Sequence, residues 1–271
     1  SVYLVDRVIP MLPEVLSNNI CSLKPNVDRL AYSILFEMDE LANMLNYTIK
    51  KTVIHSNVRF TYQSAQDVID NKKGKLVTEL LLLDKLSKIL REKRQQNGSI
   101  NFESKEVKFI LDKSNNPIDV YFKESLSTNH LIEEFMLLAN KTVAKHIGFP
   151  TKDAKTFVYR IHDKPDSDRI STLNNIVKKF GHSINNDTSD KLTQSINKLL
   201  KNVKGKAEQQ MVETLTIRSM AKAIYTTNNI GHFGLAFKHY SHFTSPIRRY
   251  PDLIVHRLLE QYTNGGKSVD K

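Results

Sequence analysis

One cysteine, Cys21, occurs in 271 residues. A lone thiol excludes an internal disulfide framework and a thiolate metal cluster, and it suits a reducing compartment, so the expected location is cytoplasmic. No apolar run is long enough to cross a bilayer and the first residues carry no signal-peptide pattern, so no membrane partner is expected. Internal repeats, low-complexity tracts and Pro/Gly/Ser-rich linkers are also missing, which makes a single domain over residues 1–271 the economical reading. Acidic residues are the other shortage: 29 Asp and Glu stand against 40 Lys and Arg, a formal net charge of +11. Such a balance favours a polyanionic partner, nucleic acid ahead of a membrane surface.

What is present patterns well. Residues 29–37 and 47–62 alternate as paired strands, with Tyr62 closing the second. Leu76, Leu80, Leu83, Leu86 and Leu90 share one face of a helix over 76–95 that ends near Asn97-Gly98. A break at SNNP predicts a hairpin across 106–124. A helix over 130–147 buries Leu131, Phe135, Leu138 and Thr142, and residues 156–162 form a short strand. Helices follow at 167–180 and 189–203. Residues 207–226 read as one core helix, with Met211, Val212, Leu215, Ile217, Met220 and Ile224 around its circumference, and 233–240 as a strand. The fold class is α+β.

The stretch HFTSPIRRYPDLIVH, His242 to His256, concentrates anion-binding chemistry. Ser245 before Pro246 can start a helix, whose free N–H groups and dipole suit phosphate. Pro251 is awkward inside a helix, so the helix can equally begin there, leaving SPIRRY as a phosphate-facing turn. Arg248 has a planar fork that can grip a phosphate through two hydrogen bonds, and Phe243 and Tyr250 could offer ring faces to bases. The bland alternative is a basic helix cap with Asp252 and His256 as a solvated pair.

With its neighbours, this stretch resembles a known signature. HFGLAFKHYSHFTSPIRRYPDLIVHRLL resembles the C-terminal motif of the ribonuclease II/ribonuclease R (RNB) family of processive 3′→5′ exoribonucleases. RVIPMLPEVLSNNICSLKPNVDRL and LIEEFMLLAN resemble further stretches of it. The likeness covers essentially the whole chain and is nearest to the bacterial ribonuclease R branch. It implies an RNB-type catalytic fold, a mixed or antiparallel sheet flanked by helices, acting as a monomer on single-stranded RNA and releasing nucleoside 5′-monophosphates. By the same resemblance Arg248 matches the arginine at the scissile phosphate, and Tyr62 the tyrosine over the 3′-terminal nucleotide. Ser245, Arg249 and Tyr250 complete the expected RNA contacts. A family glutamate near LIEEFMLLAN reads the ribose. Glu133 and Asn140, seven residues apart and so offset by only about 20° around a helix, are the expected pair, with Glu134 as the alternative to Glu133.

The resemblance also implies Mg²⁺ held by four clustered acids, upstream of RVIPMLP and outside this sequence, along with cold-shock and OB-fold domains that are likewise missing here. Asp163, Asp166 and Asp168 are the tempting substitutes, but they read as a loop and helix N-cap. His130, His146, His232, His239 and His242 lack convincing ligand spacing. No metal site is therefore expected in this chain, and the chain alone is expected to be inactive. Two rival readings stand beside the exoribonuclease: a family member that binds RNA without cutting it, and an interaction module for another anion.

Overall fold

Long alternating stretches near the N-terminus pair as a ribbon. The computed structural model describes residues 1–102, 106–123, 125–148 and 154–270. These divide into two compact units, one of Ser1–Arg91, Lys105–Val143 and His242–Ser268, the other of Glu92–Ser104, Ala144–Ser241 and Val269–Lys271.

In the first unit a short pair, β1 (Val2–Tyr3) and β2 (Val8–Ile9), precedes a π-helical turn at Val15–Ile20. Then β3 (Asp28–Met38) pairs antiparallel with β4 (Met44–His55), in a register running from Asp28↔His55 to Met38↔Met44. Asp39 closes the connection, its Oδ1 accepting from the backbone N–H of Leu41 and Asn43. The second strand stops at His55, short of the expected residue 62. Instead Thr61 caps a helix, α1 (Tyr62–Asn71), through a reciprocal pair of hydrogen bonds with Ser64. That capping box satisfies two orphan backbone groups and places Tyr62 in the first turn of a helix.

Helix α2 (Val77–Gln96) matches expectation in extent. Of its predicted leucine face only Leu86 is fully buried, and Leu76 stands outside the helix with φ +53°. Asp84 and Ser87 are buried beside it; Asp84 accepts from Ser127 Oγ at 3.2 Å and pairs with Lys88. The hairpin of β5 (Glu106–Leu111) and β6 (Pro117–Lys123) is turned by Asp112, whose carboxylate takes the N–H groups of Ser114 and Asn116. Its expected end at residue 124 lies outside the described residues. Helix α3 (Ser127–Gly148) buries Leu131, Leu138 and Thr142 as its period requires. After the motif, α7 (Tyr250–Thr263) contributes Val255, Leu259 and Tyr262 to the core of this unit.

The second unit holds β7 (Tyr159–Ile161), α4 (Ser167–Lys178), α5 (Ser189–Val203), α6 (Gln209–Ser219) and β8 (Ile224–Thr226). Asp166 caps α4 and Thr188 caps α5. Ile170, Leu173, Val177, Ile196, Val203 and Val212 form its core. The expected helix over 207–226 is really two elements. Helix α6 ends at Ser219, Met220 turns extended, and Ile224–Thr226 pairs with β7. Met211, Ile217 and Ile224 are exposed, so apolar residues all round did not mean burial. The predicted strand at 233–240 is a 3₁₀ turn, Phe233–Leu235, capped by His232 and followed by Ala236 at φ +55°.

Candidate nucleic-acid interface

The motif that opens with His242 is a braced turn followed by a helix. Helix α7 begins at Tyr250 with Pro251 in its first turn, where the absent N–H is not needed. Of the two helix starts left open by the sequence, the later one forms. Ser245 is not a cap. Its carbonyl accepts from the N–H of Arg248 and Arg249 at 3.2 and 3.1 Å, closing the turn that carries Arg248.

Three elements hold that turn. From α3, Asn140 Oδ1 accepts from the N–H of Phe243 at 2.9 Å and of Thr244 at 3.3 Å. From α7, the fully buried Asp252 accepts from Ser245 N–H at 2.8 Å, and both its oxygens engage the Arg249 fork, Nε at 2.8 Å and Nη2 at 2.9 Å. His256 Nε2 donates to the Phe243 carbonyl at 2.8 Å and its ring stacks on Phe243, centroids 4.4 Å apart. From β3, Tyr32 meets Phe243 and His256 edge-on. Burial keeps His256 below the usual imidazole range, although the Phe243 carbonyl and Asp252 pull the other way. A neutral ring with its proton on Nε2 is the donor this arrangement uses.

This bracing changes several expected roles. Asn140 is only 3% exposed: it lies on the same side of α3 as Glu133, two turns further on, but there the Phe243–Thr244 turn covers it. Arg249 has its fork committed to Asp252. Phe243 is buried under His256, so its ring face is not available to a base. Asp252 and His256 are not a solvated pair: one carboxylate organises the turn and the imidazole supports it. The Thr244 hydroxyl is buried with no hydrogen-bond partner among the described residues.

Other expected residues stand outward. Arg248 is exposed, and no hydrogen bond or ion pair to its guanidinium occurs among the described residues. Tyr250 is 62% exposed. Tyr62 is 46% exposed, and Thr128 Oγ1, at the start of α3, donates to its carbonyl at 3.0 Å. Gln66 fastens the same two helices by accepting from Ser127 Oγ and Thr128 N–H. Glu133, in the second turn of α3, is exposed with His130 Nδ1 at 3.4 Å, whereas Glu134 is buried. Missed by sequence reasoning were the scaffold roles of Asn140, Asp252 and His256. The i, i+3 spacing of Arg249 and Asp252 was the one available signal.

Among the described residues no group of three or more His, Cys, Asp or Glu is placed to hold a metal. Asp166 spends its Oδ1 on the N–H of Asp168 and Arg169, as a helix cap does. Nor does any described helix have the length and apolarity to cross a membrane.

An α+β chain that braces an outward arginine in this motif is of a recognisable class. It belongs to the RNB domain family, whose model matches residues 1–265. Within that family it is similar to ribonuclease R. It is 43% identical to the Thermotoga maritima enzyme over 97% of this chain and 37% of the relative, and 40% identical to that of Aquifex aeolicus over 97% and 38%. The Escherichia coli enzyme is 36% identical over 96% and 32%. The chain thus spans 32–38% of the length of these curated relatives. A solved structure of Mycoplasma genitalium RNase R in complex with ribose methylated single-stranded RNA superposes with a TM-score of 0.85 at 31% identity, covering 94% of this chain and 40% of that one. Yeast Ssd1, described as a pseudonuclease, shares the fold at TM-score 0.76 and 18% identity over the whole of this chain and 33% of its own.

Proposed function

We propose that the chain is the RNA-gripping part of a cytoplasmic, monomeric 3′→5′ exoribonuclease that hydrolyses single-stranded RNA processively to nucleoside 5′-monophosphates. The observation that carries this reading is the Arg248 turn. Its backbone is pinned by three elements while its guanidinium faces outward, a preorganised donor for a phosphate. The ribonuclease R relatives favour RNA as the polyanion, and the net charge of +11 agrees. The fold by itself does not decide between cutting and binding, since a pseudonuclease shares it. Its 36–43% identity to proteins named ribonuclease R favours cutting.

Arg248 would contact the scissile phosphate and oppose the charge that builds there as water adds and the P–O3′ bond breaks. Tyr62 would stack on the terminal nucleotide, with Tyr250 a second ring at the strand. Glu133 would accept from a ribose 2′-hydroxyl. Asn140, Ser245, Arg249, Asp252 and His256 would act through Arg248, as positioning residues. The Mg²⁺ of such an enzyme does not fit the described residues: Asp252, the acid of the motif, has both oxygens bonded to Arg249 and Ser245, and no group of three or more His, Cys, Asp or Glu among them is placed to hold a metal. Ser1 lies against the Arg248 carbonyl, its nitrogen donating at 2.7 Å, so residues joined ahead of it would start beside this turn.

The test takes this chain and a longer protein containing it. The chain should bind single-stranded RNA in a salt-dependent way yet leave 5′-labelled RNA uncut in millimolar Mg²⁺ or Mn²⁺. In the longer protein Arg248→Lys, which keeps the charge and loses the fork, should lower turnover by about 10²–10³ and affinity far less. Shortening of RNA by this chain would force Asp163, Asp166 and Asp168 back into consideration. Equal losses of affinity and turnover would reduce Arg248 to strand attraction.

A further inference from the structure

Two histidines of the second unit hold a single turn between them. His162 follows β7, and its Nδ1 accepts from the N–H of Gly234 at 2.9 Å. His232 caps the Phe233–Leu235 turn, and its Nδ1 accepts from the next N–H, that of Leu235, at 3.2 Å. Consecutive backbone donors are thus taken by two imidazoles whose centroids lie 4.9 Å apart. A backbone N–H can only donate, so both Nδ1 atoms must be bare. On its other side His162 Nε2 donates to the Ala221 carbonyl at 2.9 Å, which is where the neutral ring keeps its proton.

The turn sits tightly against the ring: a Cβ added to Gly234 would stand 3.0 Å from His162 Nδ1. It also ties other parts of the unit together. The Gly234 carbonyl accepts from Ile100 N–H at 2.9 Å, and Phe233 N–H donates to the His162 carbonyl at 2.8 Å. The Phe233 side chain packs against the core that holds Ile100, Ile196 and Val212. A proton added to His162 Nδ1 would set N–H against N–H and put a cation beside the second imidazole. Burial is the strongest influence on that cation and disfavours it; the Ala221 carbonyl and Asp163 favour it, and Arg160 disfavours it. Lys164, Asp190 and Lys238 are the other charged groups around the two rings, lining a cavity with them.

We infer that His162 and His232 form a proton-released latch: protonation of His162 at Nδ1 frees the Phe233–Leu235 turn while the helices of the second unit stay folded. Opening breaks the bond from Gly234 to the ring and the bond from Ile100 to Gly234, and it draws Phe233 off the core. The segment that loosens leads along the chain from β8 into the His242 motif. The closed turn makes His162 a weaker base than the open one does. The latch is therefore fully held above the ordinary imidazole value near 6.5. Below it the open population grows by up to about tenfold per pH unit, until the value of the closed state is passed. The inference goes beyond the exoribonuclease reading and stands without it.

Hydrogen exchange on the whole chain tests this, with single amides followed by NMR at about pH 7.5 and about pH 5 and corrected for intrinsic exchange. Protection at Gly234 and Leu235 should fall about tenfold or more in acid, while protection at Val177 and Ile196, inside α4 and α5, holds. His162→Gln offers an amide oxygen to Gly234 and cannot titrate, so it should abolish that fall. Imidazole nitrogen shifts of the unaltered chain read the tautomer directly and decide the matter even where His162→Gln does not fold. At about pH 7.5 the His162 proton should sit on Nε2, and Nδ1 should gain its proton in step with the loss of protection at Gly234. Several results would overturn the inference. The His162 ring stays neutral down to about pH 5, or Gly234 stays protected after the ring has protonated, or Val177 and Ile196 lose protection in parallel. A proton on Nδ1 at about pH 7.5, or an unchanged pH dependence in folded His162→Gln, would overturn it too.

Discussion

Two adjacent arginines should fail in opposite ways. Arg249→Ala strips the wholly buried Asp252 of two charge-assisted hydrogen bonds and leaves it with the Ser245 N–H alone. Removing one partner of a buried pair typically costs about 3–5 kcal/mol. The Arg249 side chain is 24% exposed, so water already supports part of its charge and the expected loss is nearer 2–3 kcal/mol. For a chain of this length 1 kcal/mol shifts the melting temperature by about 2–4 °C, which puts Arg249→Ala roughly 5–10 °C below the parent. Arg248→Ala breaks no bond of its side chain among the described residues and should stay within about 0.5 kcal/mol. RNA binding should rank them the other way near 25 °C, where both remain folded. Losing one phosphate contact makes the slope of log affinity against log salt shallower by about 0.7 for a single strand, and Arg248→Ala should show that change. Thermal melts paired with salt titrations read both quantities. Similar melting losses for the two variants, or an unchanged salt slope for Arg248→Ala, would refute this division of labour.

Asn140→Ala should destabilise the chain by about 2–4 kcal/mol, because two backbone N–H groups lose their acceptor; urea denaturation measures it. Glu133→Ala, by contrast, should leave stability unchanged and narrow the preference for RNA over DNA 3′ ends in a longer active protein, read as a ratio of cleavage rates. If Glu134→Ala narrows that ratio and Glu133→Ala does not, the ribose contact belongs to the neighbour. Thr244→Val should be neutral or slightly stabilising, since the hydroxyl it removes is buried without a partner among the described residues; a melting shift of several degrees downward would show a missed bond. Burial lowers the proton affinity of His146, His162, His239 and His256 in the folded state. Their contribution is therefore fully present above the ordinary imidazole value near 6.5 and declines as pH falls below it, because the unfolded chain then binds more protons. Melts between pH 8 and 5 should show this decline, made shallower by His256→Gln.

Where local chemistry decides structure, the sequence was readable. Asp166 and Thr188 announce α4 and α5, and SNNP turns the hairpin that Asp112 closes. Where two local signals compete it was not. Residues 47–62 alternate throughout, and the T-x-x-S capping box that starts α1 lacks the glutamate that would have flagged it. Nothing marks the end of α6, since no Gly or Pro follows Ser219; pairing of Ile224–Thr226 with β7 breaks the helix from a distance. The site divides along the same line. Arg248, Tyr62, Tyr250 and Glu133, named from motif and likeness, are exposed. The buried polar residues beneath them were misplaced, since a helical wheel cannot show that Asn140 meets Phe243 and Thr244, more than 100 positions away.

The ribbon of β3 and β4 has a practical consequence. Its strands pair only with each other among the described residues, and Leu30 and Val53, directly opposed in the register, are 83% and 65% exposed. A long, apolar, two-stranded ribbon with open edges is a template for pairing with a second copy of itself. Self-association of the chain should therefore follow the square or a higher power of its concentration, and begin there before any core residue is uncovered. Lysine at positions 30 and 53 would place like charges opposite each other on that face, trading some ribbon stability for a longer solution lifetime.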